Sequence, residues 1–289
     1  MNTQTPSPNT GKDQRSARER LERQLWRGWK SIRHQIGGGK DRQYVFVAGM
    51  QRSGTNMLME ILEWSAHTDV YHETDPRAFE RYELRPRPVL HALAEKSNAP
   101  FIVIKSLCEL DQIKELMQEF RPAKTLWILR AFDDSVNSAI RSFGNFARQV
   151  HRLAKDRDSD GWRGRGMSDE TQSILARLDH PEISEASAAA LMWYYRNILF
   201  LEQGLDRNPN VKLVYYEDLV RDPQTALQDV MGFLDMPDWS PWLTRYIHAG
   251  SIRKSPKADI EPGVRSLCEG LACRFAQLKT GKPDAGAEA

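Results

Sequence analysis

Tyr44-Val45-Phe46-Val47-Ala48 runs directly into Gly49-Met50-Gln51-Arg52-Ser53-Gly54-Thr55-Asn56, and the apolar series Met57, Leu58, Met59, Ile61, Leu62 and Trp64 follows. Five residues suited to a buried strand, a loop with glycine at each end, and a helical apolar period leave few folds open. Backbone N–H groups of such a loop and of the helix start point at one spot, which makes a cradle for an anion. The spacing approaches the nucleotide-binding pattern G-x-x-x-x-G-K-[ST], but Thr55 stands in the lysine position and Asn56 in that of the magnesium-binding hydroxyl. The positive charge sits inside the loop, at Arg52. Such a cradle suits an anionic ester and lacks the usual means of gripping a metal-bound nucleotide.

Further Val/Ile/Leu-rich runs alternate with helical periods. Strands are expected at 44–48, 68–71, 101–104, 125–129 and 211–215, and helices at 56–66, 110–119, 133–150, 185–204 and 223–235. Continuous apolar strands separated by helices predict an α/β fold in three layers, a parallel sheet with helices on both faces and a P-loop-like phosphate cradle. A catalytic domain is expected over 41–273, with a polar insertion or flap at 152–181 and a flexible tail at 274–289. Residues 1–40 read as a disordered tail followed by a basic amphipathic helix over 15–36. In that helix Leu21, Leu25, Trp29, Ile32 and Ile36 recur every three or four positions among Arg18, Arg20, Arg23, Arg27, Lys30 and Arg33. It suits docking on the domain or on a second subunit, or a membrane-surface anchor.

Composition removes several classes. Three cysteines, Cys108, Cys268 and Cys273, make neither an even disulfide framework nor a metal cluster. A net charge of +2 does not suit a nucleic-acid binder. Without a signal-peptide core or an apolar run of roughly 20 residues, a soluble cytoplasmic enzyme without metal is expected, with peripheral membrane or oligomer contact through 15–36 as a further option.

In a parallel sheet, ligands bind beyond the carboxyl ends of the strands. The first strand end supplies Arg52. The second carries His72, Glu73 and Asp75, any of which can act as a general base if placed near an acceptor hydroxyl. The third ends in Lys105-Ser106, with Lys105 suited to neutralising a leaving-group oxygen. The fourth ends at Arg130, with Ser138 on the helix after it. Arg52 and Arg130 together imply a ligand with two separated anionic groups.

These motifs resemble sulfotransferases that use 3′-phosphoadenosine-5′-phosphosulfate (PAPS). Arg52-Ser53-Gly54-Thr55-Asn56 is similar to the family's 5′-phosphosulfate loop. Arg130 and Ser138 are similar to its 3′-phosphate pair, with Asp134 between them. Trp193, Tyr216-Glu217-Asp218-Leu219 and the late Arg253-Lys254 add to the likeness, which spans roughly Tyr44 to Ile260. The resemblance implies PAPS as donor, 3′-phosphoadenosine-5′-phosphate (PAP) as product, Tyr216 near the adenine, and Arg253 and Lys254 near the 3′-phosphate. Members acting on phenols carry a histidine after the third strand; here the run is Lys105-Ser106-Leu107. Members acting on carbohydrates often use a glutamate after the second strand, which raises Glu73 above His72. Carbohydrate or glycan sulfation by a bacterial-type enzyme is therefore expected. Arg148, His151, Arg152, Trp162, Arg163 and Arg165 of the insertion are candidate glycan contacts. The alternatives are a P-loop kinase or nucleotide hydrolase, and a non-catalytic nucleotide-binding protein of the same fold.

Overall fold

The computed structural model describes residues 17–37, 42–237, 243, 244, 247 and 256–280. Its centre is a five-stranded parallel sheet of β1 (Gln43–Ala48), β2 (Thr68–Tyr71), β5 (Phe101–Ser106), β6 (Ala123–Leu129) and β7 (Val211–Tyr215), in the order β2-β5-β1-β6-β7. The two remaining strands, β3 (Phe79–Glu80) and β4 (Glu83–Leu84), form a small antiparallel pair.

The pleat sends alternate residues of β1 to opposite faces. Phe46 and Ala48 join a core that includes Ile104, Trp127, Trp193 and Phe275. Val45 and Val47 join another with Leu58, Ile61, Val103 and Leu227. Both faces are covered, which is why the strands read as unbroken apolar runs. The first core is roofed by helices including α5 (Phe132–Ser142), α6 (Phe146–Lys155), α8 (Glu185–Glu202) and α11 (Pro262–Thr280). The second lies under α2 (Thr55–Glu63), α9 (Tyr216–Arg221) and α10 (Pro223–Leu234).

Every expected strand is present; several helices differ. The single helix expected at 133–150 is two, because Asn145 takes a left-handed conformation (φ 67°) between α5 and α6. Helix α3 (Arg87–Lys96) was not expected, and α4 (Ile113–Glu119) starts after a 3-10 turn at Leu110–Gln112. Within the polar stretch 152–181, α7 (Asp169–Leu178) is capped by Ser168, which accepts from the Thr171 N–H, and Met167 and Leu175 are buried. The tail expected from 274 is helix through Thr280, and Phe275 is fully buried in the core.

Helix α1 (Ala17–Gly37) does dock on the domain, through Trp26, Lys30 and His34. Its leucines face away. Among the described residues no helix is long and apolar enough to cross a membrane.

Candidate active site

Chain order explains where the functional groups gather. β1 is central; the chain leaves it toward β2 and β5 on one side and later continues to β6 and β7 on the other. Such a reversal opens a crevice at the carboxyl ends of the middle strands. Val47 is registered with Lys105, and Ala48 with both Ser106 and Trp127. The loop after β1, the end of β5 and the exit of β6 therefore meet at one place.

The loop needs its glycines. A Cβ on Gly49 would lie 2.6 Å from the Ile128 carbonyl oxygen, and one on Gly54 would lie 2.3 Å from the Tyr216 ring. Gly54 also takes φ 101°, a conformation open to glycine. Arg52 is itself at φ 71°. Its Nε donates to Ser138 Oγ at 3.0 Å, while Arg130 Nη1 donates to the Arg52 carbonyl at 3.1 Å. The two arginines expected at separate ends of a ligand are thus directly linked. Burial, then Arg130 and Arg141, push the Arg52 pKa down from its ordinary value. Ser53 is fully buried and its Oγ has no partner; Thr55 is buried at the start of α2, where no side chain caps the helix. Concentrated cations, an orphaned hydroxyl, an uncapped helix start and a cradle closed to any Cβ all fit a phosphate-bearing nucleotide.

On the other side of the loop, Lys105 lies inside β5, which runs two residues further than expected, and is 1% exposed. Its Nζ donates to Glu73 Oε1 at 2.5 Å and also to Asn56 Oδ1. Burial pushes the Lys105 pKa down, opposed by Glu73. His72 points elsewhere, with Nε2 3.5 Å from Glu63 Oε2. Asp75 is engaged by Arg77 at 2.6 Å. Of the ionisable groups expected after β2, Glu73 is the one that reaches Lys105.

Tyr216 packs against Gly54 and under the Arg130 guanidinium, 4.4 Å from the ring centroid. Glu217 accepts from the Ala131 N–H at 3.0 Å, and Trp193 Nε1 donates to the Arg130 carbonyl at 3.0 Å. These two residues fix the backbone around Arg130. Arg253 and Lys254 lie outside the described residues; Pro256, just beyond, accepts from Asn137, the neighbour of Ser138.

The basic residues at 148–165 are largely engaged within the chain. Arg165 pairs with Asp111 and Glu83, Arg152 and Arg163 with Asp160, and His151 with Asp179. Trp162 lies against Arg163 and Arg196. Arg196 is 1% exposed and donates to the Leu107 and Trp162 carbonyls, tying this segment to the exit of β5. Arg196 is not among the residues expected at the site, although a lone arginine inside the apolar run of α8 is a signal in the sequence. Glu109, also not among them, is 3% exposed and sits in an unremarkable loop sequence.

Fold and site define an α/β protein with a phosphate-type cradle at the switch point of a parallel sheet. Residues 42–254 match the sulfotransferase domain family, and the chain belongs to it. It is a transferase of sulfuryl groups, and the family implies a hydroxyl-bearing acceptor. Among solved structures, the sulfotransferase domain of the curacin biosynthetic pathway is similar at TM-score 0.51 and 15% identity, covering 81% of this chain and 99% of that one, a likeness of fold. The sulfotransferase domain of the Synechococcus PCC 7002 olefin synthase gives 0.49 at 15% identity, with coverages of 82% and 98%. The sulfotransferase from Alicyclobacillus acidocaldarius gives 0.45 at 16%, with coverages of 84% and 98%. No curated protein matches the chain at a significant level.

Proposed function

We propose that the chain transfers a sulfuryl group from PAPS to a hydroxyl of a carbohydrate, with Glu73 as the general base. The observation that carries this reading is the meeting of Glu73, Lys105 and Asn56 beside the linked Arg52, Ser138 and Arg130. The donor, which the family uses, supplies an already activated sulfuryl group.

The chain supplies position, charge and a proton acceptor. Arg52, Ser53, Gly54 and Thr55 hold the 5′ side of the donor. Arg130, Ser138 and Tyr216 hold its nucleoside end, with Arg253 and Lys254 proposed to join them from outside the described residues. Glu73 Oε1 is held by Lys105, so Oε2 is the atom that takes the acceptor's proton. Lys105, with one N–H left beyond its bonds to Glu73 and Asn56, turns it to the oxygen where negative charge develops. Asn56, expected to touch the donor, is placed to orient Lys105 through its amide oxygen. His72 has no part in this arrangement.

The carbohydrate acceptor is supported by the use of a glutamate after β2. Internal pairing of Arg152, Arg163 and Arg165 favours a neutral sugar over an acidic glycan. The test is transfer from PAPS to a panel of neutral sugars, sulfated or uronic glycans, lipid alcohols and small alcohols, with magnesium-ATP binding as control. Turnover on neutral sugars is expected. Turnover confined to lipid or small alcohols overturns the acceptor class, and tight magnesium-ATP binding without PAP binding overturns the donor.

A further inference from the structure

Helix α1 is docked the reverse of the usual way for an amphipathic helix. Lys30, 7% exposed, is turned inward and donates to the Glu63 carbonyl at 2.8 Å and to Thr68 Oγ1 at 2.9 Å. His34 Nε2 lies 2.8 Å from the Ala66 carbonyl oxygen, and Trp26 packs on Trp64 with ring centroids 5.8 Å apart. The opposite side presents Leu21, Leu25, Trp29 and Ile32, exposed by 56, 66, 46 and 58%. Nothing lies within 4 Å of where a Cβ on Gly28 would be. An aligned stripe of four large apolar residues facing water costs free energy that scattered exposed residues do not.

Charge identifies the occupant. The helix sequence carries Arg18, Arg20, Arg23, Arg27, Lys30 and Arg33 against Glu19 and Glu22. That surplus exceeds the chain's whole net charge of +2, so the rest of the molecule sums to net negative. A second copy of the helix would set two such surpluses face to face. An anionic surface that also accepts apolar side chains satisfies both features. We propose that α1 seats the protein on an anionic lipid bilayer, with Leu21, Leu25, Trp29 and Ile32 inserted at the headgroup boundary and the positive surplus of the helix sequence drawing it to that surface.

The geometry sets the orientation. The contacts of α1 fall on the last residues of α2 and the start of β2, at the amino ends of the strands. The candidate active site lies at their carboxyl ends, so the seated protein turns its donor pocket away from the bilayer.

The test is co-sedimentation of the full chain with vesicles of phosphatidylcholine alone or containing phosphatidylglycerol, at low and high salt, with light scattering for self-association. Binding to the anionic vesicles that weakens as salt rises is expected. The double variant Leu21→Ser, Leu25→Ser should lose on the order of tenfold or more in vesicle affinity while keeping the parent's melting temperature and PAP affinity. Three results overturn the proposal: no binding to anionic vesicles, equal binding to neutral ones, or a concentration-dependent dimer that the same variant abolishes. The first removes the membrane, the second removes its anionic character, and the third puts a second copy on the stripe. A variant that melts early is replaced by Leu21→Ser, Ile32→Ser, read against the same outcomes.

Discussion

Lys105 is nearly inaccessible to water, and a charge so placed needs a partner. Glu73 provides it, and Asn56 accepts a further hydrogen bond. Glu73→Gln keeps the shape of the contact and an acceptor for Lys105 but removes the proposed base. Turnover is expected to fall by about 10²–10⁴-fold with little change in PAP affinity, measured by initial rates and calorimetry. Near-normal turnover would place the base elsewhere while leaving the family intact. Glu109 makes a separate prediction. Its Oε1 accepts from the Leu84 N–H at 2.8 Å, Oε2 is buried without a partner, and burial pushes the carboxyl pKa from 4.5 up to about 7. Below the lower value the group is protonated whether the chain is folded or unfolded. Between the two values only the folded chain retains the proton, so the contribution to stability is lost as pH rises through the folded pKa. Glu109→Gln, neutral throughout and able to keep the Leu84 bond, should exceed the parent by roughly 3 kcal/mol at pH 8 and by under about 1 kcal/mol at pH 5. Urea titrations at the two pH values measure this difference. A gain independent of pH would rule out a buried acid as its origin.

At the scale of elements, the strands were legible because burial on both faces leaves an unbroken apolar run, as in Val45–Ala48 and Phe101–Ile104. The missed helices bury too little to show a period. Leu90 and Ala94 are the buried residues of α3, and Thr171 and Leu175 those of α7. The break between α5 and α6 turns on the backbone of Asn145, a residue type that tolerates a left-handed conformation without demanding it. Asn145→Val, β-branched at positive φ, should cost about 1–2 kcal/mol, while Asn145→Gly should be tolerated. Helix α8 matters most for the site, since it carries Trp193 to the Arg130 carbonyl and Arg196 to the Leu107 carbonyl. Its start is capped by Ser184 Oγ, which accepts from the Ser187 N–H at 3.0 Å. Ser184→Ala should therefore cost about 1 kcal/mol by denaturant unfolding. An unchanged midpoint would mean that packing, and not the cap, holds this end.

For the molecule as a whole, the strand-end motifs could be read from sequence because a parallel sheet brings strand ends together whatever the details of the helices. Arg52, Lys105 and Arg130 come from three strands that are neighbours in space. Internal pairing was not legible, because it depends on side-chain partners far apart in sequence, as with Arg165 and Glu83 or Arg52 and Ser138. The same convergence gives the molecule an electrostatic strain that a ligand can relieve. Burial first, then Arg130 and Arg141, hold the Arg52 pKa down, so like charges are gathered where the donor's phosphates are proposed to sit. A nucleotide with phosphates at both ends binds the folded chain alone and so raises its stability by mass action. At a hundredfold excess over Kd, PAP should add about 2.7 kcal/mol, a rise of several degrees in melting temperature for a chain of this size. Part of the gain is ionic, so it should shrink as salt rises. Arg130→Ala should remove most of it, whereas Glu73→Gln should leave it, because in the proposed roles one grips the nucleotide and the other takes the acceptor's proton. Thermal melts with PAP, adenosine 5′-phosphate and magnesium-ATP separate these terms. Equal shifts from adenosine 5′-phosphate and PAP would show that the second phosphate finds no site near Arg130, and the assignment of Arg130 and Ser138 would fall with it.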